Sequence, residues 1–220
     1  MVIAIDGPAA SGKSTTAQGV AKKLGFIYLD TGAMYRAVTL AVLEAGLDSS
    51  DMVGIESLLR EISLSFDLED SSTRILLNAR DVSEQIRGLE VTRNVSAVSA
   101  LPVVREKMVE IQRQIGSSQD SVVEGRDIGT VVFPGAKFKF FITADYETRA
   151  ARRQQDLEQL GIHRAIREII EDLKKRDLKD SRREHSPLTK AEDAIEIDTT
   201  TLTIQEQIDT IVGSVKRESN

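Results

Sequence analysis

Near the start of the chain, Gly7-Pro8-Ala9-Ala10-Ser11-Gly12-Lys13-Ser14 has the spacing G-x-x-x-x-G-K-[ST], and Thr15 follows it. That spacing suits a backbone loop wrapped around phosphate oxygens. The glycines allow a tight turn whose N–H groups converge on one point, and the following helix aims its positive end at the same point. Lys13 adds a cation for the β- and γ-phosphates of a nucleoside triphosphate, and the Ser14 hydroxyl is a ligand for Mg²⁺. The context agrees with this reading. The apolar run Val2-Ile3-Ala4-Ile5 reads as a strand, and a helical pattern runs from Ser14 to Leu24. The opposing reading is a Gly-rich turn between strand and helix that binds nothing.

A phosphate loop alone does not choose among kinases, switch GTPases, motors and transporters, but three further clusters narrow the choice. Asp30-Thr31-Gly32-Ala33-Met34-Tyr35-Arg36 offers a hydroxyl, a turn and an arginine on the first turn of a helix. Such a set suits a second phosphate, although Thr31 as a helix cap and Arg36 as a solvated cation account for it equally well. Gly125-Arg126-Asp127-Ile128-Gly129-Thr130 follows a β-branched run, at the strand end where α/β folds bind ligands. The third cluster is Lys175-Arg176-Asp177-Leu178-Lys179-Asp180-Ser181-Arg182-Arg183, with Arg149, Arg152 and Arg153 on one face of the preceding helix. Between Asp145 and Lys190 there are 12 basic and 10 acidic residues, so these arginines do not belong to a broad basic field. Paired helices with arginines aimed at one side suit a lid over transferring phosphates.

Positioning these clusters requires a strand–helix alternation. Strands are expected at Val2–Asp6, Phe26–Leu29, Ser121–Glu124, Lys137–Thr143 and Ala194–Asp198. Helices are expected at Thr15–Leu24, Gly32–Glu44, Val103–Ile115, Asp145–Leu160, Ile162–Leu178 and Ile204–Val215. This predicts an α/β fold with a five-stranded parallel sheet flanked by helices. Residues 58–98 break the rhythm. Ser63–Leu68 and Arg74–Leu77 alternate like a hairpin around Glu69–Ser72, with a short helix near Leu89–Ser99, so the stretch reads as a small inserted α+β lobe. The expected division is therefore 1–57 with 99–220 as core, including a helical lid at about 149–183, and 58–98 as the insertion.

Composition excludes several classes. The 220 residues contain no cysteine, which removes disulfides and thiolate metal sites, and two histidines are too few for a His-rich centre. A net charge of −6 opposes nucleic-acid binding, and no run approaches the ~20 apolar residues of a membrane span. No secretory signal is visible, so a cytoplasmic protein with small anionic ligands is expected, and a monomer.

The chain resembles the bacterial cytidylate kinases, within the nucleoside-monophosphate kinases. The resemblance rests on Gly7–Thr15, Leu29–Arg36, Ser96 with Val104-Arg105-Glu106, Gly125–Pro134, Arg176–Arg183 and Ile197-Asp198-Thr199-Thr200. It implies a P-loop kinase core, transfer from ATP to CMP or dCMP with Mg²⁺, and a monophosphate-binding role for the insertion. It also implies that Thr31, Arg105, Asp127 and Arg183 face cytosine, that Tyr35, Arg36 and Arg126 hold the CMP phosphate, and that Ser96, Arg176 and Asp180 contact the sugar. Two positions depart from the family pattern: Thr31 stands where some members have Ser, and Ser181-Arg182 leaves open which neighbouring arginine reaches the ligand.

The chemistry of these residues agrees. Phosphoryl transfer is mainly alignment and charge neutralisation. Gly7 to Thr15 would hold ATP, while Lys13, Arg126, Arg149 and Arg153 would neutralise the transferring group. Cytosine offers an amino donor and bare N3 and O2 acceptors, which a carboxylate and guanidinium groups match and uracil does not. A GTPase switch would want Asn-Lys-x-Asp, and the nearest approach, Thr189-Lys190-Ala191-Glu192, ends in the wrong residue. Another monophosphate kinase or a shikimate-like kinase is the remaining alternative.

Overall fold

The computed structural model describes residues 1–67, 74–159 and 161–219. The turn expected at Glu69–Ser72, and Leu68 before it, lie outside the described residues. Strand β1 (Val2–Asp6) leads into the loop, and α1 (Lys13–Leu24) starts behind Gly12, whose φ of 92° is open to glycine at little cost. Strand β2 (Ile27–Asp30) passes directly into α2 (Thr31–Glu44), because the Asp30 carboxylate accepts the Ala33 N–H at 2.8 Å. Asp30, not Thr31, is thus the cap. Then come α3 (Met52–Glu61), β3 (Leu64–Asp67), β4 (Arg74–Leu77), β5 (Arg80–Asp81), a 3₁₀ turn (Gln85–Arg87), α4 (Leu89–Val98) and α5 (Pro102–Ser118). Strand β6 (Ser121–Gly125) precedes a π-helical turn (Ile128–Val132), and β7 (Phe138–Thr143), α6 (Tyr146–Gln159), α7 (Ile166–Ser181), β8 (Ile195–Asp198) and α8 (Ile204–Ser219) complete the chain.

These elements form two compact units, Met1–Tyr28 with Gln119–Asn220, and Leu29–Ser118. In the first, the sheet order is β2-β6-β1-β7-β8, with β1 parallel to β6 and β7, and β8 parallel to β7. The five-stranded parallel sheet is the one expected, and its middle strand feeds the loop. Side chains alternate along it. Ile3, Ile5, Val122, Phe138, Phe140, Ile142 and Ile197 face α1 and α8, meeting Ala17, Val20, Ile208, Ile211 and Val215 in one core. The opposite face carries Ala4, Asp6, Val123 and Lys139, which is where the π-helical turn lies. A smaller core joins Ala9 of the loop to Ala150, Leu157, Ile169 and Leu173 of α6 and α7.

The second unit packs α2 against α3, α4, α5 and β4, and carries the antiparallel sheet β3-β4-β5. Its core includes Met34, Val38, Ile55, Leu59, Ile75, Leu77, Val91 and Met108. Two of its elements were not foreseen. Helix α3 is short, and it is started by Asp51, which accepts the Gly54 N–H at 2.9 Å. Strand β5 turns back through Asn78 and Ala79, both with positive φ (51° and 63°). A two-residue hairpin turn demands that conformation, and Ala79 sits where glycine usually advertises it.

The close approach of β1 and β7 generates a prediction. A Cβ at Gly7 would lie 2.2 Å from the Ile142 carbonyl oxygen, a backbone atom that cannot step aside. Gly7→Ala should cost about 2 kcal/mol or more, read as a lower midpoint in thermal or urea unfolding.

Candidate active site

The phosphate loop is held by bonds from both ends of the first unit. Ala10 has a positive φ of 57°, a strained state for a non-glycine residue and a mark of sites held by their surroundings. Arg149 Nε donates to the Ala9 carbonyl at 2.7 Å, and Arg152 Nη1 donates to the Ser11 carbonyl at 3.0 Å. Thr199, just past β8, donates its hydroxyl to the same Ser11 oxygen at 2.9 Å. Thr16 Oγ1 bonds Gln207 of α8 at 2.6 Å. The first turn of α1 carries no acidic residue and no side-chain cap. Its N–H groups and partial positive charge are thereby directed at the loop.

Lys13 and Ser14 meet a residue that sequence reasoning missed. Glu124, buried at the end of β6, accepts the Ser14 hydroxyl at 2.9 Å and the Tyr28 hydroxyl, and lies 3.9 Å from the Lys13 ammonium. Lys13 also reaches the Pro8 carbonyl at 3.4 Å. The signal was a carboxylate closing an apolar strand, one residue before Gly125-Arg126-Asp127. This donor set fits a divalent cation of the Mg²⁺ type. Ser14 gives its hydrogen to Glu124 and keeps oxygen lone pairs, and hard cations of this kind take few protein ligands beside phosphate oxygens. Among the described residues no cluster of three or more acidic or histidine side chains could hold a metal by itself.

The arginines divide in an informative way. Arg149 is buried and grips Asp177 of α7 with both terminal nitrogens, at 2.6 and 3.0 Å, its guanidinium 5.0 Å from the Tyr146 ring centroid. It ties α6 to α7 and to the loop. Arg152 also bonds Thr199 through its carbonyl at 2.8 Å, so it fastens the loop to the end of β8. Arg153, half-buried, has no ion-pair partner among the described residues. Arg126 Nε donates to Asp180 at 3.2 Å, and Arg183 pairs with the same carboxylate. Arg126, Asp180 and Arg183 thus form one cluster, with Asp180 buried beneath it. Arg176 is half-buried on the same helix as Asp180.

Asp127 is buried at the head of the π-helical turn, and Asp6 lies next to it. The Asp6 carboxylate accepts the Ile128 and Gly129 N–H groups, both at 2.8 Å. Burial pushes its pKa up to about 6; the two amides and Arg126 oppose that shift and Asp127 adds to it.

The second unit carries the remaining expected residues. Arg36 pairs with Asp30 at 3.0 Å. Arg105 is buried with its guanidinium 5.3 Å from the Tyr35 ring centroid, and it donates to the Ser99 carbonyl at 3.3 Å. Thr31 is buried at the start of α2, and Ser96 is half-buried on α4, which packs on α2.

The Asp6 titration is testable. A carboxyl whose folded pKa, about 6, exceeds its unfolded value of 3.8 holds its proton more tightly when folded. Its contribution to stability is therefore present below about pH 4 and is lost as pH rises through 6. The stability of the protein relative to Asp6→Asn should fall by roughly 2 kcal/mol between pH 4 and pH 7, measured by urea unfolding at each pH.

Comparisons with known proteins agree with this geometry. The Thermus thermophilus and Eubacterium ventriosum structures similar to this one share its fold at a TM-score of 0.51 each. They are 15% and 16% identical in sequence, covering 100% and 99% of this chain and 98% of each of theirs, and the second is described as an uncharacterized protein. Sequence relatives are much nearer. The cytidylate kinase of Lactobacillus johnsonii is 48% identical over 218 residues, 99% of this chain and 95% of that protein. That of Halalkalibacterium halodurans is 49% identical over 216 residues, 98% of this chain and 97% of its own. Residues 3–217 match the family described as cytidylate kinase, and the chain belongs to that family.

Proposed function

We propose that the protein transfers the γ-phosphoryl group of ATP to CMP or dCMP, giving ADP and CDP or dCDP, in pyrimidine nucleotide metabolism. The observation that carries this reading is the family match over residues 3–217, in a chain whose loop sets Lys13 and Ser14 at the head of α1. ATP would lie with its phosphates on the amides of residues 7–15, and Lys13 would neutralise the β- and γ-phosphates. Mg²⁺, held by Ser14 and phosphate oxygens, would supply further neutralisation of the transferring group. Arg126, backed by Asp180, would hold the acceptor phosphate together with Arg36 and Tyr35, while Ser96, Arg176 and Asp180 contact the sugar. Thr31, Arg105, Asp127 and Arg183 would read the base. The attacking phosphate oxygen is already ionised near neutral pH, so the protein needs no general base.

Arg149 and Arg153 sit on a lid of about 149–183, and residues 58–98 form the monophosphate-binding lobe. The two hydrogen bonds that Arg149 donates to Asp177 support a positioning contribution, because they order the helix pair around the loop. Arg153, which has no ion-pair partner among the described residues, would reach the phosphates from the lid. The working form is a monomer in the cytoplasm, with no nucleic-acid or membrane partner. No described helix is long and apolar enough to cross a membrane.

An ADP-release assay across CMP, dCMP, UMP, AMP, GMP and shikimate should show turnover concentrated on CMP and dCMP; equal or better rates with AMP, GMP or shikimate would overturn the reading. Lys13→Ala should remove most of that turnover, on the order of 3 kcal/mol in the barrier, without unfolding the protein.

Asp127→Asn should narrow the preference for CMP over UMP about ten- to a hundredfold in kcat/KM, because a carboxylate only accepts hydrogen bonds while an amide serves either base. If both substrates fell together, Asp127 would leave the base-reading set.

A further inference from the structure

Helix α6 holds the phosphate loop by two of its carbonyls. Arg149 takes that of Ala9, and Arg152, one turn further along the helix, takes that of Ser11. In a trans peptide group the C=O and the N–H that follows it point in opposite directions, so fixing one fixes the other. A carbonyl drawn towards α6 therefore turns the Ala10 or Gly12 N–H away from it. Ala10 and Gly12 both have positive φ, 57° and 92°, and turns of that kind let neighbouring N–H groups close on an anion.

The Ser11–Gly12 peptide is fixed from several directions. Arg152 Nη1 donates to the Ser11 oxygen at 3.0 Å and to the Thr199 hydroxyl at 3.2 Å, while Nη2 donates to the Thr199 carbonyl at 2.8 Å. The Thr199 hydroxyl lies 2.9 Å from the same Ser11 oxygen. Thr199 is fully buried, and its N–H is fastened to the Thr143 carbonyl at the end of β7 at 2.8 Å. The Gly12 carbonyl in turn accepts the Thr16 N–H at 3.1 Å. A Cβ on Gly12 would come 3.3 Å from Arg152 Nη1 and 3.4 Å from Gln207 Oε1, so both side chains pack closely against that residue. Among the described residues Arg152 donates only to neutral oxygens, whereas Arg149 is paired with Asp177.

We infer that Arg152 and Thr199 are positioning residues for the phosphoryl donor: by holding the Ser11 carbonyl together they aim the Gly12 N–H into the loop and so set its affinity for phosphate. This rests on the reading that the loop binds ATP. Neither side chain has to touch the nucleotide. A tie that served only to pack α6 against the end of β8 would change stability and leave the affinity of the folded protein alone.

Calorimetric titration with a non-hydrolysable ATP analogue separates these roles. Thr199→Val keeps the side-chain shape and removes one donor from the Ser11 oxygen, so the Kd should rise roughly fivefold; Thr199→Ser, which keeps the hydroxyl, should stay within about twofold. Arg152→Gln should raise the Kd roughly tenfold, and Arg152→Lys, which keeps the charge without the fork, should recover only part of that loss. The Kd for CMP should stay within about twofold throughout. An analogue Kd unmoved by both Thr199→Val and Arg152→Gln, or a CMP Kd raised as far, would overturn the proposal. Full recovery in Arg152→Lys would overturn it too, by making charge alone responsible. Lys13→Ala, titrated alongside, reports on the underlying reading. If it leaves the analogue's affinity unmoved, the phosphate-loop assignment fails and this proposal with it. If it weakens binding while the Arg152 and Thr199 variants do not, only the proposal fails. Should Arg152→Gln not fold, the Thr199 pair decides with a second measurement. The Gly12 amide proton should move downfield when the unmodified protein binds the analogue, and less far in Thr199→Val; an equal shift in both would overturn the role.

Discussion

Charge buried at the carboxyl ends of parallel strands must be compensated, and the rest of this architecture follows from how that is done. Strand β1 ends in Asp6, and β6 carries Glu124 one residue before its end; both carboxylates are shut away from water. An isolated ion there would cost several kcal/mol or would be neutralised. Each is instead surrounded by donors that belong to functional segments: Ser14, Lys13 and Tyr28 around Glu124, and the amides of Ile128 and Gly129 around Asp6. Compensating the charge therefore also fixes the loops.

The same economy explains the arginines of the two long helices. Arg149, buried in a folded helix pair, is satisfied by a two-pronged grip on Asp177 and by the Ala9 carbonyl. Lysine could supply the charge but not that fork. Asp180 similarly serves two cations, Arg126 and Arg183, and holds both at one place. Arginines paired in this way are preorganised, held in one place before any ligand arrives.

The sequence made some of this plain and hid the rest for physical reasons. The phosphate loop was legible because glycine spacing, lysine and hydroxyl act locally, and the sheet was legible because buried parallel strands are apolar runs. Helix α3 was hidden because its pattern is short and its start depends on the Asp51 side chain. Strand β5 was hidden because Ala79 occupies a position where glycine is the usual cue. The partnership of Glu124 with Ser14, or of Arg152 with Thr199, joins residues far apart in the chain, and no periodicity records such a meeting. Residue types suggested chemistry for Arg149 and Arg152; only the fold shows that both are engaged in holding the loop.

The bonds that steady the loop carry a consequence for how the site comes into being. Ser11 accepts the Thr199 hydroxyl across 188 positions of chain, and Thr16 bonds Gln207 across 191. The motif thus takes its place from side chains far along the chain from it, Thr199 and Gln207 sharing that task with Arg149 and Arg152. Closing loops of that length costs chain entropy, so the motif is shaped only once β8 and α8 have docked, and local folding of residues 7–15 alone cannot shape it.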